Sequence, residues 1–267
     1  MDSNAALQGV EDTLYIPLLA RIYVSERFPE FFYDEKALSL KPAIPENTIV
    51  QNTGEYFSLA SACRQYVIDK KIRDFVESRG QCNVVCLGAG LETALNRMNT
   101  SSAHFYQVDV PKVIDTRARV LGCAANETLV AGDMFTLEWV GEIDTSLPTL
   151  ITVSGVFQYF AEEKVVAMVK GVASLIPGGE MVFDATNTAG LRLANRYVQS
   201  TGNTDAVMYF SVDDAGEFAR RTGTRLLGVD GFFADALRDC KGLSAKTRLF
   251  MFFADRLKRT LIIHLGF

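Results

Sequence analysis

The chain has 267 residues, of which 48% are hydrophobic and 22% are charged, and its formal net charge is −5 at pH 7. This length and apolar content predict a large globular unit with a substantial core. The acidic balance argues against nucleic acid as a main partner, because phosphate binding needs a basic surface. No stretch approaches the roughly 18 consecutive apolar residues of a membrane span, so we expect no membrane partner.

The N-terminal sequence and the cysteines bear on the compartment. The opening stretch MDSNAALQGVEDTLYIP is acidic and lacks the basic segment and apolar segment of a signal peptide. The five cysteines form no C-x-x-C pair, which indicates reduced thiols rather than a disulfide framework or a zinc site. We therefore expect a cytoplasmic protein without a bound metal.

Apolar residues at helical spacing predict two helices in the first part of the chain. The first covers residues 9–25, where Pro17 is expected to cause a kink or a break. The second covers residues 56–78 and is expected to end at Gly80. We predict an N-terminal helical cap, or lid, made of residues 1–80.

From residue 81 onwards, strand and helix patterns alternate. Short apolar runs bounded by turn residues predict seven strands: NVVCLG, HFYQVDV, ETLVAGD, PTLITVSG, GEMVFDA, TRLLGVDG and RTLIIHLGF. Helical patterns lie near 91–99, 111–121, 161–175, 188–200, 212–222 and 244–256. This alternation predicts an α/β domain over residues 81–267, with a parallel sheet covered by helices on both faces.

Two glycines and an acid suggest a nucleotide-like ligand. Gly88 and Gly90 follow the first predicted strand, at the edge where open parallel sheets bind ligands. Asp109 ends the second strand, where a carboxylate would accept hydrogen bonds from two ribose hydroxyls. Asp133 ends the third strand and would meet an adenine amine. Two structural alternatives stay open: a helix cap for Asp109 and a turn role for Asp133.

The glycine pattern also bears on which ligand binds. A dinucleotide fingerprint needs a third glycine so that helix and strand pack closely under the pyrophosphate. In this chain, Thr93 occupies that third position. S-adenosylmethionine contains adenosine but no pyrophosphate, so the pattern favours a methyltransferase. A nicotinamide-dependent oxidoreductase remains an alternative.

Four ordered blocks carry a resemblance to a known family. NVVCLGAGLETALNRM, FYQVDVPKVIDTRARVL, VSGVFQYFAEEKVVAMV and PGGEMVFDA resemble the leucine carboxyl methyltransferase superfamily, and most closely its bacterial branch of polyketide-type O-methyltransferases. The resemblance covers most of residues 12–185. It implies a Rossmann-like class I fold that uses S-adenosylmethionine, with a seven-stranded, mainly parallel sheet whose last strand is antiparallel.

The resemblance further implies a set of cofactor-binding positions. They are Arg64, Gly88, Ala89, Gly90, Asp109, Val110, Asp133, Met134 and Ser154. Arg64 would meet the cofactor carboxylate, since a guanidinium fork suits a carboxylate, and a surface salt bridge is the alternative for it. Ser154 and Ala94 stand where the family often has a glutamate and an arginine. These departures keep open a catalytically degenerate, cofactor-binding interaction protein.

The acceptor would be a small molecule with a carboxylate or hydroxyl oxygen, of polyketide-like type, and a homodimer is left open. Methyl transfer from a sulfonium is a direct displacement that depends strongly on positioning. A carboxylate acceptor needs no base, whereas a phenol with a pKa near 10 does. Gln158 and Tyr159 are the catalytic candidates because they follow the fourth strand. His104 and His264 are expected to be structural, and Phe157 and Phe160 either wall the acceptor or pack in the core.

Overall fold

The computed structural model describes residues 11–44, 54–200 and 207–267. Before the first strand, the described residues form three α-helices: α1 (Glu11–Arg27), α2 (Glu35–Leu40) and α3 (Glu55–Arg79). α1 continues through Pro17, so the expected alternative of a break there is wrong. Tyr15, Leu18 and Ile22 of α1 are buried, and this packing offsets the backbone hydrogen bond that proline removes.

All seven predicted strands form, in a single sheet. They are β1 (Cys82–Leu87), β2 (Ala103–Asp109), β3 (Glu127–Ala131), β4 (Thr149–Val153), β5 (Glu180–Thr186), β6 (Arg225–Asp230) and β7 (Thr260–Gly266). The strand order is β3-β2-β1-β4-β5-β7-β6. β7 is antiparallel to both of its neighbours, and the other pairs are parallel. The predicted fold class is confirmed.

In the described part of the chain, seven further α-helices connect the strands. They are α4 (Ala94–Met98), α5 (Pro111–Leu121), α6 (Glu162–Leu175), α7 (Thr188–Ser200), α8 (Ala215–Thr222), α9 (Ala234–Asp239) and α10 (Ala245–Arg256). α4 is shorter than its sequence pattern, because the residues before it belong to the glycine loop. α9 has only six residues, too few for a helical period to show in the sequence.

The core lies on both faces of the sheet. Along β1, Val84 and Cys86 belong to one buried cluster, while Val85 and Leu87 belong to the other. The whole strand is therefore buried, as expected for a central parallel strand. α3 contributes its apolar side to the first cluster, so this helix packs directly on the sheet. Among the described helices, none combines the length and hydropathy that a membrane crossing requires.

Candidate active site

The carboxyl ends of β1, β2, β4 and β5 meet at one edge of the sheet. The Gly90 N–H donates to Asp109 Oδ2 over 2.8 Å, which joins the loop after β1 to the end of β2. Arg64 NH1 lies 3.3 Å from Asp184 Oδ2, which joins α3 to β5. The structure thus brings predicted site residues from distant parts of the sequence to the ligand-binding edge of an open α/β sheet.

The glycine loop needs its glycines for two reasons. Gly88 has φ 65° and Gly90 has φ 48°, in the left-handed region that favours glycine. A Cβ at Gly88 would lie 2.5 Å from Val156 Cγ2, and one at Gly90 would lie 3.1 Å from Leu14 Cδ2. Side chains from the loop after β4 and from α1 therefore lie close to the backbone of the glycine loop.

Asp109 anchors the glycine loop. Its Oδ2 accepts the Gly90 N–H and its Oδ1 accepts the Val110 N–H, each over 2.8 Å. Burial raises the pKa of this carboxyl group, and the two N–H donors oppose that rise. The cap position of α5 belongs to Val110 and has no side-chain cap hydrogen bond, so the helix-cap alternative for Asp109 is wrong. A carboxylate has about four acceptor directions, which leaves capacity for further donors.

The loop after β3 has the form of a tight turn. Asp133 is exposed, and its Oδ1 accepts the Phe135 N–H over 2.9 Å, which is the turn role that the sequence left open. Met134 is buried, and its carbonyl accepts the Trp139 Nε1–H over 2.9 Å. This turn therefore places the Asp133 carboxylate at the surface, next to the buried side chain of Met134.

Arg64 is held in a confined position. Its side chain is 13% exposed, so the alternative of a surface salt bridge is wrong. The guanidinium lies against Gly155, where a Cβ would come within 2.8 Å of NH1 and NH2. Its Nε is buried and has no hydrogen-bond partner among the described residues. An unsatisfied buried donor is costly, and an anionic ligand would satisfy it.

The side chains of Gln65 and Asp184 bind the loop after β4, and the sequence did not predict these contacts. The Ser154 hydroxyl donates to Gln65 Oε1 on α3 over 2.7 Å. The Gly155 N–H donates to Asp184 Oδ1 on β5 over 2.5 Å. Asp184 lies in the second half of β5, and its two contacts follow only from the tertiary structure.

The catalytic candidates lie on a 3-10 turn, Phe157–Tyr159. The Tyr159 side chain is exposed, and the Gln158 carbonyl accepts the Tyr209 N–H over 2.7 Å. Phe157 is buried and packs edge-on against Phe183 with ring centroids 5.3 Å apart, so it is a core residue rather than an acceptor wall. Of this turn, only Tyr159 offers an exposed polar side chain.

Both histidines make structural contacts away from this edge. A ring nitrogen of His104 lies 2.8 Å from Thr128 Oγ1, on the neighbouring strand β3. A ring nitrogen of His264 lies 2.7 Å from Glu180 Oε2, at the start of β5 and so at the opposite edge of the sheet. Neither is positioned to act as a base at the candidate site.

A buried group of charged side chains, which we call the Arg97 cluster, lies behind the glycine loop and was not predicted. It consists of Arg21, Asp34, Asp69, Glu92 and Arg97. Arg97 contacts Asp69 at 2.7 and 2.9 Å, Asp34 at 2.8 Å and Glu92 at 2.7 Å, and Arg21 contacts Asp34 at 3.0 Å. Burial alone would raise the pKa of Glu92, but the attraction of Arg97 and Arg21 lowers it to about 2.

Two buried arginines also bind backbone carbonyls of the glycine loop. Arg21 NH2 donates to the Leu91 carbonyl over 2.7 Å. Arg117 NH1 donates to the Glu92 carbonyl over 2.7 Å and to the Gly90 carbonyl over 3.2 Å. α1 and α5 thus fix the loop conformation from two sides. In the sequence, these arginines stand among the apolar residues of two helices, but this pattern does not show which groups they contact.

Gly155→Ala should displace the Arg64 guanidinium, because the new methyl group would lie 2.8 Å from NH1 and NH2 and the backbone has φ 72°. We expect a several-fold loss of affinity for S-adenosylhomocysteine and a destabilisation of about 1–2 kcal/mol from the left-handed backbone. Calorimetry and urea unfolding measure the two effects. Gly178→Ala is the matched control, because Gly178 also has a left-handed backbone, with φ 81°, but its added methyl group would meet open space. Unchanged affinity in the Gly155 variant would contradict the confined position of Arg64.

Comparison with known proteins agrees with this arrangement. Residues 8–173 match the leucine carboxyl methyltransferase family. The chain is 25% identical over 207 residues to the tetracenomycin polyketide synthesis O-methyltransferase TcmP of Streptomyces glaucescens, with 76% of this chain and 77% of that protein covered.

Solved structures share the fold. One is a DUF574-family protein from Streptomyces avermitilis, with a TM-score of 0.56, 14% identity, and 93% of this chain and 96% of that chain covered. Another is an S-adenosylmethionine-dependent methyltransferase from Mesorhizobium loti, with a TM-score of 0.54, 17% identity, and 78% of this chain and 100% of that chain covered. The chain belongs to the leucine carboxyl methyltransferase family and is an S-adenosylmethionine-dependent methyltransferase.

Proposed function

We propose that this methyltransferase transfers the methyl group of S-adenosylmethionine to a carboxylate or hydroxyl oxygen of a polyketide-like small molecule. The observation that carries the proposal is the meeting of the glycine loop, Asp109 and Arg64 at one edge of the sheet. The similarity to a polyketide synthesis O-methyltransferase supports the acceptor class.

The donor set fits the cofactor in chemical terms. The Asp109 carboxylate retains acceptor capacity for two ribose hydroxyls, and the buried Nε of Arg64 lacks a partner among the described residues, as a carboxylate site requires. We assign the adenine contact to Asp133 and Met134 and the loop contacts to the residues that surround these groups. Those residues are Gly88, Ala89, Gly90, Val110 and Ser154.

The cofactor supplies an activated methyl group on a sulfonium, and the chain must orient the acceptor oxygen towards it. We assign this orienting role to Tyr159 and Gln158, which follow β4 at the same edge of the sheet. Because both histidines are engaged away from this edge, an acceptor that is already ionised near neutral pH is favoured. A carboxylate meets this condition, whereas a phenol would need a base.

The surroundings of the site form part of the same proposal. We propose that residues 1–80, of which 11–44 and 54–80 are described, form a cap on the core of residues 81–267. The hydrogen bond from Arg21 of α1 to the Leu91 carbonyl, over 2.7 Å, supports this. A cytoplasmic location agrees with the five unpaired cysteines. The acidic net charge supports a small-molecule acceptor over nucleic acid.

Turnover of methyl-labelled S-adenosylmethionine against a panel of aromatic acids and phenols tests the function. We expect label in the ester or ether product, with carboxylates preferred, and S-adenosylhomocysteine as the second product. Binding of S-adenosylhomocysteine without any transfer across the panel would favour a degenerate, cofactor-binding protein. Binding of NAD(H) without binding of S-adenosylhomocysteine would contradict the proposal.

A further inference from the structure

Opposite charges lie side by side where α3 crosses the ends of β4 and β5. Arg64 NH1 is 3.3 Å from Asp184 Oδ2, and the two side chains are 13% and 10% exposed. Asp184 Oδ1 also accepts the Gly155 N–H. The carboxylate and the guanidinium are therefore held in fixed positions while part of each remains accessible.

The pair leaves hydrogen-bonding capacity unused. Arg64 makes a single long contact with Asp184, and its buried Nε has no partner among the described residues. Asp184 accepts one N–H at each oxygen, whereas a carboxylate accepts about four. Buried charged groups are normally fully hydrogen-bonded, so this deficit indicates a missing polar ligand.

The charge pattern matches one chemical group in particular. The amino-acid tail of S-adenosylmethionine carries a carboxylate and an ammonium on the same carbon. An adjacent guanidinium and carboxylate present the complementary pattern, and such charge-assisted hydrogen bonds are the strong ones. Ser154, on the loop after β4, is uncharged and donates its hydroxyl hydrogen to Gln65.

We propose that Asp184 binds the ammonium group of the cofactor, beside Arg64, to which the carboxylate of the same amino-acid tail is already assigned. This assignment rests on the proposed function. It makes Asp184 a specificity residue that distinguishes the complete cofactor from adenosine thioethers without an amino group. It also explains why a carboxylate on β5 is directed into the loop after β4.

The assignment is tested by binding alone, without turnover, by combining changes at Asp184 with ligands that have or lack the amino group. Binding is measured by calorimetry for S-adenosylhomocysteine, for its deaminated analogue and for 5′-methylthioadenosine. Wild-type protein should bind S-adenosylhomocysteine at least about tenfold more tightly than the deaminated analogue. In Asp184→Asn this preference should fall to within about twofold, and the affinity for 5′-methylthioadenosine should change little. Asp184→Glu, which keeps the charge, should retain part of the preference.

Asp213→Asn is the control, because Asp213 is an exposed carboxylate that accepts hydrogen bonds from the backbone and side chain of Thr188 and has no described contact with Arg64 or Gly155. We expect it to leave all three affinities unchanged. Equal weakening of all three ligands by Asp184→Asn would show that Asp184 only holds the loop, and equal wild-type affinity for the first two ligands would also overturn the assignment. No binding of S-adenosylhomocysteine to wild-type protein would instead contradict the proposed function itself.

Discussion

Replacing Asp109 with alanine should weaken the binding of S-adenosylhomocysteine about a hundredfold, because two hydrogen bonds to a charged group, worth about 1.5 kcal/mol or more each, would be lost. The variant also frees the Gly90 N–H, which Asp109 Oδ2 now accepts over 2.8 Å, so the glycine loop loses an anchor. Calorimetry at a fixed ionic strength measures the change in Kd.

Asp115→Ala is the matched control for this prediction. Asp115 lies on the exposed side of α5, and its loss should leave the affinity unchanged. The pH dependence gives a second check. Burial raises the pKa of Asp109, so this carboxylate is protonated at a higher pH than an ordinary aspartate. When the pH is lowered, the wild-type affinity should therefore begin to fall at that higher pH. An Asp109→Ala variant that folds and binds as wild type would show that the carboxylate only anchors the loop.

Replacing Arg97 with methionine should lower the free energy of unfolding by about 3–5 kcal/mol, which is the usual cost of leaving buried charges without their partner. Arg97 is the one side chain of the Arg97 cluster that contacts all three of its acids: Asp34, Asp69 and Glu92. Removing it leaves the three carboxylates with Arg21 as the remaining cation in the cluster. Urea unfolding measures the loss.

Arg238→Met is the control, because Arg238 contacts Asp235 and Asp239 at the surface with a 65% exposed side chain. We expect the midpoint of unfolding to stay nearly unchanged in this variant. The destabilisation by Arg97→Met should also shrink in acid. The wild-type pKa of Glu92 is lowered from 4.5 to about 2, so the stability that its charge provides is present above pH 4.5 and is lost as the pH falls towards about 2. A destabilisation that does not depend on pH would contradict this account.

The Arg97 cluster also connects stability with the candidate site. Glu92 lies in the same loop between β1 and α4 as the two glycines, and Arg21 binds both Asp34 and the Leu91 carbonyl. The buried charged side chains therefore stabilise the conformation of the glycine loop. The left-handed glycines are ordered by the protein itself and do not depend on a bound ligand. Preorganisation of this kind reduces the ordering cost of binding. Glu92, two residues before Ala94, thus contributes an acid to the Arg97 cluster.

The sequence by itself determined the order of the strands along the chain, the fold class and the place of the glycine loop. Continuous apolar runs identify buried strands, and Gly88, Gly90 and Asp109 follow or end two of them, at the edge where open parallel sheets bind ligands. These signals are local, since each depends on residues that are neighbours in the sequence. For the same reason the sequence placed Arg64 on a helix but gave no information on its contacts.

Only the tertiary structure decided which distant polar groups meet. The pairing of Arg64 with Asp184 joins residues 120 positions apart, and the contact of Arg97 with Asp34 joins residues 63 positions apart. Local patterns cannot show such contacts, because the energy of a buried charge depends on partners that the folded chain brings within about 3 Å. The same limit applies to Phe157. Its sequence position is compatible with an acceptor pocket and with a packed core, and only its contact with the Phe183 ring shows that it lies in the core.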